Sequence, residues 1–370
     1  MTEMRYSTDS IEDFNSKQHE LLGVGCQTYE KAVLTGAIDS VQIEMADALT
    51  RYSSWRAPTV IVSDGAYGLG LFPSDPPTPT DLADWYAPHI AAWSRYSLPE
   101  TTLWFWCSEI GWATVHPVLV KDGWQFRSVN VWDKGVAHIA GNVNSKTIRR
   151  FPIVTEVCVH YVRNVQLPTA DSQWLLMQQW LRYEWLRTGL PLSKTNEACG
   201  VKNAATRKYF TKDHLWYFPP PEMMESIVTY ANRYGQPTEW PYFSIDGKSP
   251  VTAEQWSRMR AKWNHIHGVT NVWSEPAVRG TERLKNKQAK CIHANQKPLR
   301  LIERIILASS DPGDVVWEPF GGMCSTAVAS LRKGRCCYSA EIDPDYYHMA
   351  KARIEQECDL LSSFLFPDFL

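Results

Sequence analysis

The sequence lacks the cysteine patterns that crosslink a fold or bind a structural metal. Its nine cysteines are scattered over 370 residues, with no Cys-x-x-Cys pair and no Cys/His spacing suited to zinc. Neither a disulfide framework nor a metal site is therefore predicted. The adjacent Cys336 and Cys337 are expected to lie in a buried strand.

Long apolar runs and a leader pattern are also missing. No run approaches the roughly 18 apolar residues of a membrane helix. The N-terminal stretch from Met1 to Arg5 lacks the charged-then-apolar order of a signal peptide. We therefore expect a soluble, cytoplasmic protein without a membrane partner.

Neither sign of charge is in excess overall, but the charges are unevenly distributed. The 38 Lys and Arg against 40 Asp and Glu give a formal charge of −2, which argues against a uniformly basic coat that binds nucleic acid. Residues 191–300, however, contain 17 basic and 9 acidic residues, a net of +8, and the remainder carries −10. A basic segment of this kind is expected to contact phosphates.

Tryptophan is abundant, with 17 residues. A function that stacks on or encloses flat rings would use them, whereas filling a large core accounts for most of them.

The pattern of apolar residues predicts strands that alternate with helices in two blocks, which is typical of an α/β sheet. The predicted strands are 59–62, 101–107, 124–132, 154–162, 314–317 and 336–340. The predicted helices are 81–93, 111–120, 173–188, 298–309, 325–331 and 346–357, with a helical lead-in over the first sixty residues that includes 41–49. Residues 191–290 interrupt the alternation and are predicted to form an irregular inserted module.

One strand runs into a glycine turn that favours a nucleoside ligand. Val315 to Trp317 precedes Glu318-Pro319-Phe320-Gly321-Gly322, and Glu341 follows at the end of the next predicted strand. Glycines allow close approach to the backbone, and an acid at that place can accept hydrogen bonds from ribose hydroxyls. The Gly-x-Gly-x-x-Gly spacing is absent, which favours a cofactor without phosphates. Alone, this pattern leaves NAD and S-adenosylmethionine open.

A second motif, Asp64-Gly65-Ala66-Tyr67, follows the strand that ends at Val62. A carboxylate and a backbone carbonyl can accept the two hydrogens of a planar amine while an aromatic ring stacks on its heterocycle. An ordinary turn at Asp64-Gly65 is the alternative.

Together these motifs resemble those of the bacterial amino-group DNA methyltransferases, which methylate adenine N6 or cytosine N4 with S-adenosylmethionine. Asp64 to Tyr67 is similar to the catalytic tetrapeptide, and Glu318 to Cys324 with Glu341 is similar to the cofactor loop and the acid that follows it. His293 to Leu299 resembles the element His-x-x-Gln-Lys-Pro-Leu. The order of catalytic motif, module and cofactor loop resembles the permuted β-type arrangement.

The resemblance implies a Rossmann-like sheet in circularly permuted order with an inserted, mostly helical or irregular target-recognition module. The catalytic half is predicted at residues 1–165, the DNA-binding module at 166–290 and the cofactor-binding half at 291–370.

The resemblance also assigns roles to residues, with S-adenosylmethionine as cofactor and no metal. Asp64, Gly65 and Tyr67 would hold the amine of a flipped base. The residues implied in cofactor binding are Glu318, Pro319, Phe320, Gly321, Gly322, Glu341, Lys297 and Pro298, and Lys297 with its neighbours would enclose the methionine part.

Two basic segments are predicted to contact double-stranded DNA. Residues 193–209 resemble two short helices around Gly200, as in a helix-turn-helix, although a plain helical hairpin is the alternative. The polar residues expected to face DNA there are Lys202, Asn203, Arg207 and Lys208. The second segment, 279–290, contributes Arg279 and Arg283 and either contacts phosphates or forms a mobile loop.

Some residues depart from the family pattern. Gly65-Ala66 stands in place of Pro-Pro, and Glu318, Met323 and Cys324 replace Asp, Ser and Gly. A competing match with a diproline, residues 74–78, is predicted to be a loop. His160 and Glu156 share one face of a strand and are predicted to be satisfied polar groups near the sheet edge.

The favoured function is methylation of adenine N6, because the catalytic motif begins with Asp. Cytosine N4 methylation, a DNA-binding protein that has lost catalysis, and methylation of RNA or a small amine are the alternatives. Association with the nucleoid is expected, and a cognate restriction endonuclease and a homodimer stay open as partners.

Overall fold

The computed structural model describes residues 41–70, 72, 74–139, 149–280, 282–284 and 295–365, without the side chains of residues 362–365. Within them, eight strands form one sheet and two form a small hairpin. The sheet strands are β1 (Val41–Met45), β2 (Val60–Ser63), β3 (Thr102–Cys107), β4 (Trp124–Asp133), β5 (Thr155–Arg163), β8 (Val272–Ser274), β9 (Val315–Glu318) and β10 (Cys336–Glu341). The hairpin pairs β6 (Gln166–Pro168) with β7 (Trp174–Leu176).

The order of the sheet is β1-β10-β9-β2-β3-β5-β4-β8. In this order the four pairs from β1 to β3 are parallel, β5 runs antiparallel to both β3 and β4, and β8 is parallel to β4. The chain builds outward from β2 through β3, and later returns to place β9 on the other side of β2. This reversal of direction makes the junction of β2 and β9 a switch point, where ligands bind at the carboxyl ends of the strands.

Helices cover both faces of the sheet. They are α1 (Leu82–Tyr96), α2 (Glu109–Lys121), α3 (Met177–Arg187), α4 (Lys194–Ala198), α5 (Ala204–Tyr209), α6 (Pro221–Tyr234), α7 (Ala253–Ser257), α8 (Leu299–Ser309), α9 (Ser325–Arg332) and α10 (Pro344–Leu365). Because side chains alternate along a strand, Ile61 packs with α1 and α2, whereas Val60 and Val62 pack with α8 and α9. The predicted α/β architecture is confirmed.

Residues between 165 and 259 have a hydrophobic core of their own, built around Trp180, Trp185 and Trp256. The 14-residue helix α6, which sequence analysis missed, contributes Met224 and Ile227 to this core. The predicted division of the chain at residues 165 and 290 stays a prediction.

Two predicted elements were wrong. Residues 41–45 form an edge strand rather than a helix, since they pair in parallel with β10 and turn Val41 and Ile43 toward the core. The helix expected from residue 173 begins at Met177, because residues 174–176 belong to the hairpin. Residues 1–40 of the predicted lead-in lie outside the described part of the chain.

Buried aromatic side chains dominate the cores. Eleven of the 17 tryptophans are buried, which confirms that most of them fill the interior. No helix among the described residues has the length and apolar character needed to cross a membrane.

Candidate active site

The loop that follows β2 is fixed by a carboxylate from the next turn of the chain. Asp75 accepts hydrogen bonds from the backbone N–H groups of Tyr67, Gly68 and Leu69, at 3.0, 2.8 and 3.1 Å. The Tyr86 hydroxyl donates to the Ala66 carbonyl at 3.1 Å. The competing diproline match thus lies in a loop, as predicted, and its acid supports the backbone of the Asp64 motif.

Close packing explains why a glycine stands at position 65. A Cβ atom there would lie 2.7 Å from the Phe320 ring and 2.8 Å from the Tyr86 hydroxyl oxygen. Carbon atoms do not approach so closely, so a larger residue would push the loop away from the glycine turn.

The glycine turn after β9 is held by the buried side chain of Glu318. This carboxylate accepts hydrogen bonds from the N–H groups of Thr326 and Ala327 in the first turn of α9, at 2.7 and 3.1 Å, and from the Ser339 hydroxyl at 3.0 Å. Burial outweighs these hydrogen bonds and raises the pKa of Glu318 to about 7. Its carboxylate is therefore engaged inside the protein, although the residue lines the cavity.

Cys324 adopts a left-handed conformation in the same turn, with φ of 50°. It occupies the position where the family resemblance expects glycine, which adopts this conformation without strain.

Glu341 lies at the carboxyl end of β10, opposite the turn. Its carboxylate accepts hydrogen bonds from the N–H groups of Gly322 at 2.6 Å and Asp343 at 2.8 Å. Burial raises its pKa above the ordinary value despite these bonds. Glu341 lines the cavity, so a ligand there can reach its carboxylate.

One cavity of about 820 Å³ joins the two motifs at the switch point. The predicted residues that line it are Asp64, Gly65, Tyr67, Lys297, Glu318, Pro319, Phe320, Gly321, Gly322 and Glu341. Pro298 does not line it and instead precedes the first turn of α8. Sequence analysis missed one wall, formed by Trp85 and His89 beside Phe320, with ring centroids 4.9 to 5.3 Å apart.

Lys297 lies against the Asp64 carboxylate. Its Nζ is 2.9 Å from Asp64 Oδ1 and 3.3 Å from Glu156 Oε2, and it donates to the Asn295 carbonyl at 3.2 Å. Burial lowers the pKa of this ammonium, but the two carboxylates raise it more, so the pKa lies above its ordinary value. These contacts lie beside the predicted catalytic acid, whereas the resemblance had assigned Lys297 to the methionine part of a cofactor.

Glu156 is a satisfied polar group, as predicted, but it lies deeper in the sheet than predicted and beside the cavity residues. Strand β5 lies inside the sheet rather than near its edge, and Glu156 contacts Tyr67, Lys297 and Lys134. Burial alone would raise its pKa, but Lys297 and Lys134 lower it below the ordinary value. The sequence did contain a signal for the role of Glu156, because its carboxylate lies next to the apolar run 157–159 and a buried charge requires a partner.

His160, the second residue of the predicted pair, was expected to be satisfied but is only partly so. Its Nε2 atom finds no hydrogen-bond partner in the part of the chain that the structure describes. The ring stacks on Trp104 at 4.4 Å between centroids, and burial lowers its pKa to about 3.

The residues predicted to contact DNA lie in two groups. Lys202, Asn203, Arg207 and Lys208 are exposed around the short helices α4 and α5. These helices are tied together by the Thr195 and Thr206 hydroxyls at 2.6 Å. The two short helices are as predicted, but they line no part of the cavity.

The second group belongs to the segment after β8. Arg279 is exposed and donates to the Ala137 carbonyl at 3.4 Å, and Arg283 is half-buried. Most of the basic stretch that follows, including 285–290, lies outside the described residues, as does His293.

A model of the N6/N4 DNA methylase family matches residues 59–352, about four fifths of the chain. The chain belongs to the DNA methylase family. The match includes both motifs that line the cavity and the segment between them.

Two curated relatives match a shorter stretch of this chain. DNA adenine methyltransferase YhdJ of Escherichia coli is 38% identical over 94 residues, which is 25% of this chain and 30% of the relative. Type II methyltransferase M.HinfI of Haemophilus influenzae is 36% identical over 86 residues, 23% of this chain and 24% of the relative. The aligned stretch thus spans less than a third of either relative.

Solved structures are similar to this chain over more of its length. The M1.HpyAVI–SAM complex covers 85% of this chain and 99% of its own, with a TM-score of 0.44 and 16% identity. PvuII DNA methyltransferase, cytosine-N4-specific, covers 88% and 93%, with a TM-score of 0.47 and 12% identity.

Proposed function

We propose that this protein transfers the methyl group of S-adenosylmethionine to the exocyclic amino group of a base in double-stranded DNA, with adenine N6 as the favoured target. The observation that carries this proposal is the shared cavity. Asp64 to Tyr67 and the glycine turn Glu318 to Gly322 meet there from two adjacent strands. The motif that would bind the amine and the turn that would bind the nucleoside thus line the same cavity.

The cavity residues fit such a cofactor. A volume of about 820 Å³ lies within the range of roughly 300–1,000 Å³ typical of small-ligand sites. Glu341 would accept hydrogen bonds from ribose hydroxyls, and the wall of Trp85, His89 and Phe320 offers faces for a purine ring. When bound, the cofactor supplies an electrophilic methyl group on a sulfonium centre.

The Asp64 motif is suited to orient an amine. A base must leave the duplex before its amino group reaches an enclosed site. Asp64 and the Gly65 carbonyl would then accept the two amine hydrogens, and the nitrogen lone pair would point into the cavity. Holding the reacting groups in this way supplies most of the rate gain that a displacement needs from the protein.

Loss of the family diproline does not leave this loop unsupported. Asp75 holds three consecutive backbone N–H groups, and Gly65 packs on Phe320. We therefore favour an active enzyme over a degenerate DNA-binding protein.

The acid at the first position of the motif favours adenine over cytosine, and exposed Lys202, Arg207 and Lys208 would contact DNA phosphates. Nucleoside mass spectrometry of DNA from cells that express the protein tests the identity of the target base. We expect N6-methyladenine. Detection of N4-methylcytosine would reassign the target base, and the absence of both products would contradict the enzyme proposal.

Asp64→Ala is the first variant to measure. We expect methyl transfer to purified duplex DNA to fall at least about 100-fold, because the amine loses its acceptor. Cofactor affinity, measured by calorimetry, should stay within about threefold, since Asp64 belongs to the amine side of the cavity. A fully active variant would place the chemistry elsewhere.

A further inference from the structure

We propose that Glu156 is a positioning residue, which aligns the Asp64 carboxylate through Tyr67 and Lys297. This inference rests on the function proposed above. Glu156 does not line the cavity, whereas Asp64, Tyr67 and Lys297 do. Any effect of Glu156 on methyl transfer therefore passes through those three side chains.

Two donors bridge the same pair of carboxylate oxygens. The Tyr67 hydroxyl lies 3.0 Å from Asp64 Oδ1 and 3.1 Å from Glu156 Oε2. Lys297 Nζ lies 2.9 Å from that Oδ1 and 3.3 Å from that Oε2. Lys134 binds the other oxygen of Glu156, Oε1. Glu156 is thus fixed on one side and holds both donors on the other.

The available donors in the described part of the chain occupy only one oxygen of the Asp64 carboxylate. Lys297 has three N–H bonds, which are used by Asp64, Glu156 and the Asn295 carbonyl. Tyr67 has one proton, so its hydroxyl donates to one carboxylate at a time. Among the described residues none donates to Asp64 Oδ2, and the side chain is 24% exposed. Oδ1 is therefore anchored, and Oδ2 is left for the amine.

The charges in this cluster balance. Asp64 and Glu156 face Lys297 and Lys134, and Lys297 is buried with only 2% of its side chain exposed. Without the charge of Glu156, two ammonium groups would face one carboxylate. The pKa of Lys297 would then fall, since Glu156 is one of the two groups that raise it.

Glu156→Gln tests the proposal because it keeps the volume of the side chain and removes its charge. We expect single-turnover methyl transfer to fall about 10- to 100-fold, the scale of a misplaced catalytic group. Affinity for S-adenosylhomocysteine, measured by calorimetry, should stay within about twofold. Because the pKa of Lys297 would fall, the basic limb of the pH–rate profile should move to lower pH. A purely structural defect would not cause this shift.

Glu100→Gln is the matched control. Glu100 is a buried carboxylate that pairs with Arg258 at 2.8 Å and does not line the cavity. We expect it to lower thermal stability without moving the rate or the pH profile. If Glu156→Gln behaves in the same way as this control, the proposal is wrong.

Lys134→Met in a Glu156→Leu background separates bridging from charge balance, because Leu removes the charge and both acceptor oxygens, whereas Gln keeps one oxygen. This double variant restores neutrality but not the bridge, so we expect its rate to stay at that of Glu156→Leu. Recovery would overturn the proposal, because charge compensation would then explain the defect.

If Glu156→Gln does not fold, Glu156→Asp keeps the charge on a shorter side chain, and we expect a reduced rate with the wild-type basic limb. A wild-type rate in that variant would count against bridging.

The two proposals fail in different ways. A wild-type protein that methylates no DNA would remove the proposed function and this inference with it. An active wild-type protein whose rate and pH profile survive Glu156→Gln would remove only the role of Glu156.

Discussion

Glu318 shows at the scale of a single residue how a substitution within a motif is accommodated. The family resemblance expects Asp at this position, and the longer Glu side chain reaches two N–H groups of α9 as well as the Ser339 hydroxyl. Its carboxylate stabilises the turn that lines the cavity, since the first N–H groups of a helix have no partner inside the helix. The substitution therefore preserves the turn.

The raised pKa of Glu318 predicts a pH-dependent stability. Its pKa is about 7 in the folded protein and about 4.5 when unfolded, so the folded state binds the extra proton between these values. Binding of this proton stabilises the folded state by about 3 kcal/mol. The stabilisation is present in full below pH 4.5 and is lost as the pH rises through 7. The unfolding free energy of wild type relative to Glu318→Gln should therefore fall from pH 5 to pH 8 in urea titrations. A constant difference would contradict the shift.

At the scale of elements, the site depends on how two loops are held rather than on the strands alone. The Asp64 loop and the glycine turn follow β2 and β9, which are parallel neighbours in the sheet, so the two loops meet at the carboxyl ends of these strands. The Asp75 carboxylate holds the first loop, and the Glu318 carboxylate holds the second.

Asp75 provides a test at this scale. In Asp75→Ala the N–H groups of Tyr67, Gly68 and Leu69 lose their acceptor, and we expect methyl transfer to fall about 10- to 100-fold as the loop loosens. Hydrogen exchange of those amides should accelerate. Asp75→Asn keeps one acceptor oxygen and should recover part of the rate, whereas equal loss in both variants would point to a direct chemical role for the carboxylate.

At the scale of the whole molecule, the overall charge of −2 conceals a basic segment and an acidic remainder. The exposed Lys202, Arg207 and Lys208 lie within the basic segment and away from the cavity. A neutral protein can thus present a local surface to a polyanion.

Replacing these three residues with Gln tests their contact with phosphates. Each lost contact should reduce the slope of log affinity against log salt by about 0.9, so the triple variant should lose about 2.7. Lys121→Gln with Lys351→Gln, two exposed sites on α2 and α10, serves as the control and should leave the slope unchanged. An unaltered slope in the triple variant would exclude these contacts.

The sequence alone determined the alternation of elements, the order of the motifs and the family, because these depend on local apolar patterns and on short runs of residues. Ten of the eleven catalytic and cofactor-binding residues predicted from the sequence line the cavity, and Pro298 is the exception. Sequence analysis failed for 41–45, whose spacing suits a helix as well as an edge strand, and for α6, whose amphipathic pattern lies in a segment of loops.

Only the tertiary structure decided which distant residues meet. Glu156 reaches Tyr67 across 89 residues of sequence, and Trp85 and His89 of α1 contact Phe320 in the turn after β9. No local pattern encodes such contacts, since they arise from the pairing order of the strands and the packing of helices on the sheet. The motifs predicted the chemistry, and the fold supplied the side chains that hold it in place.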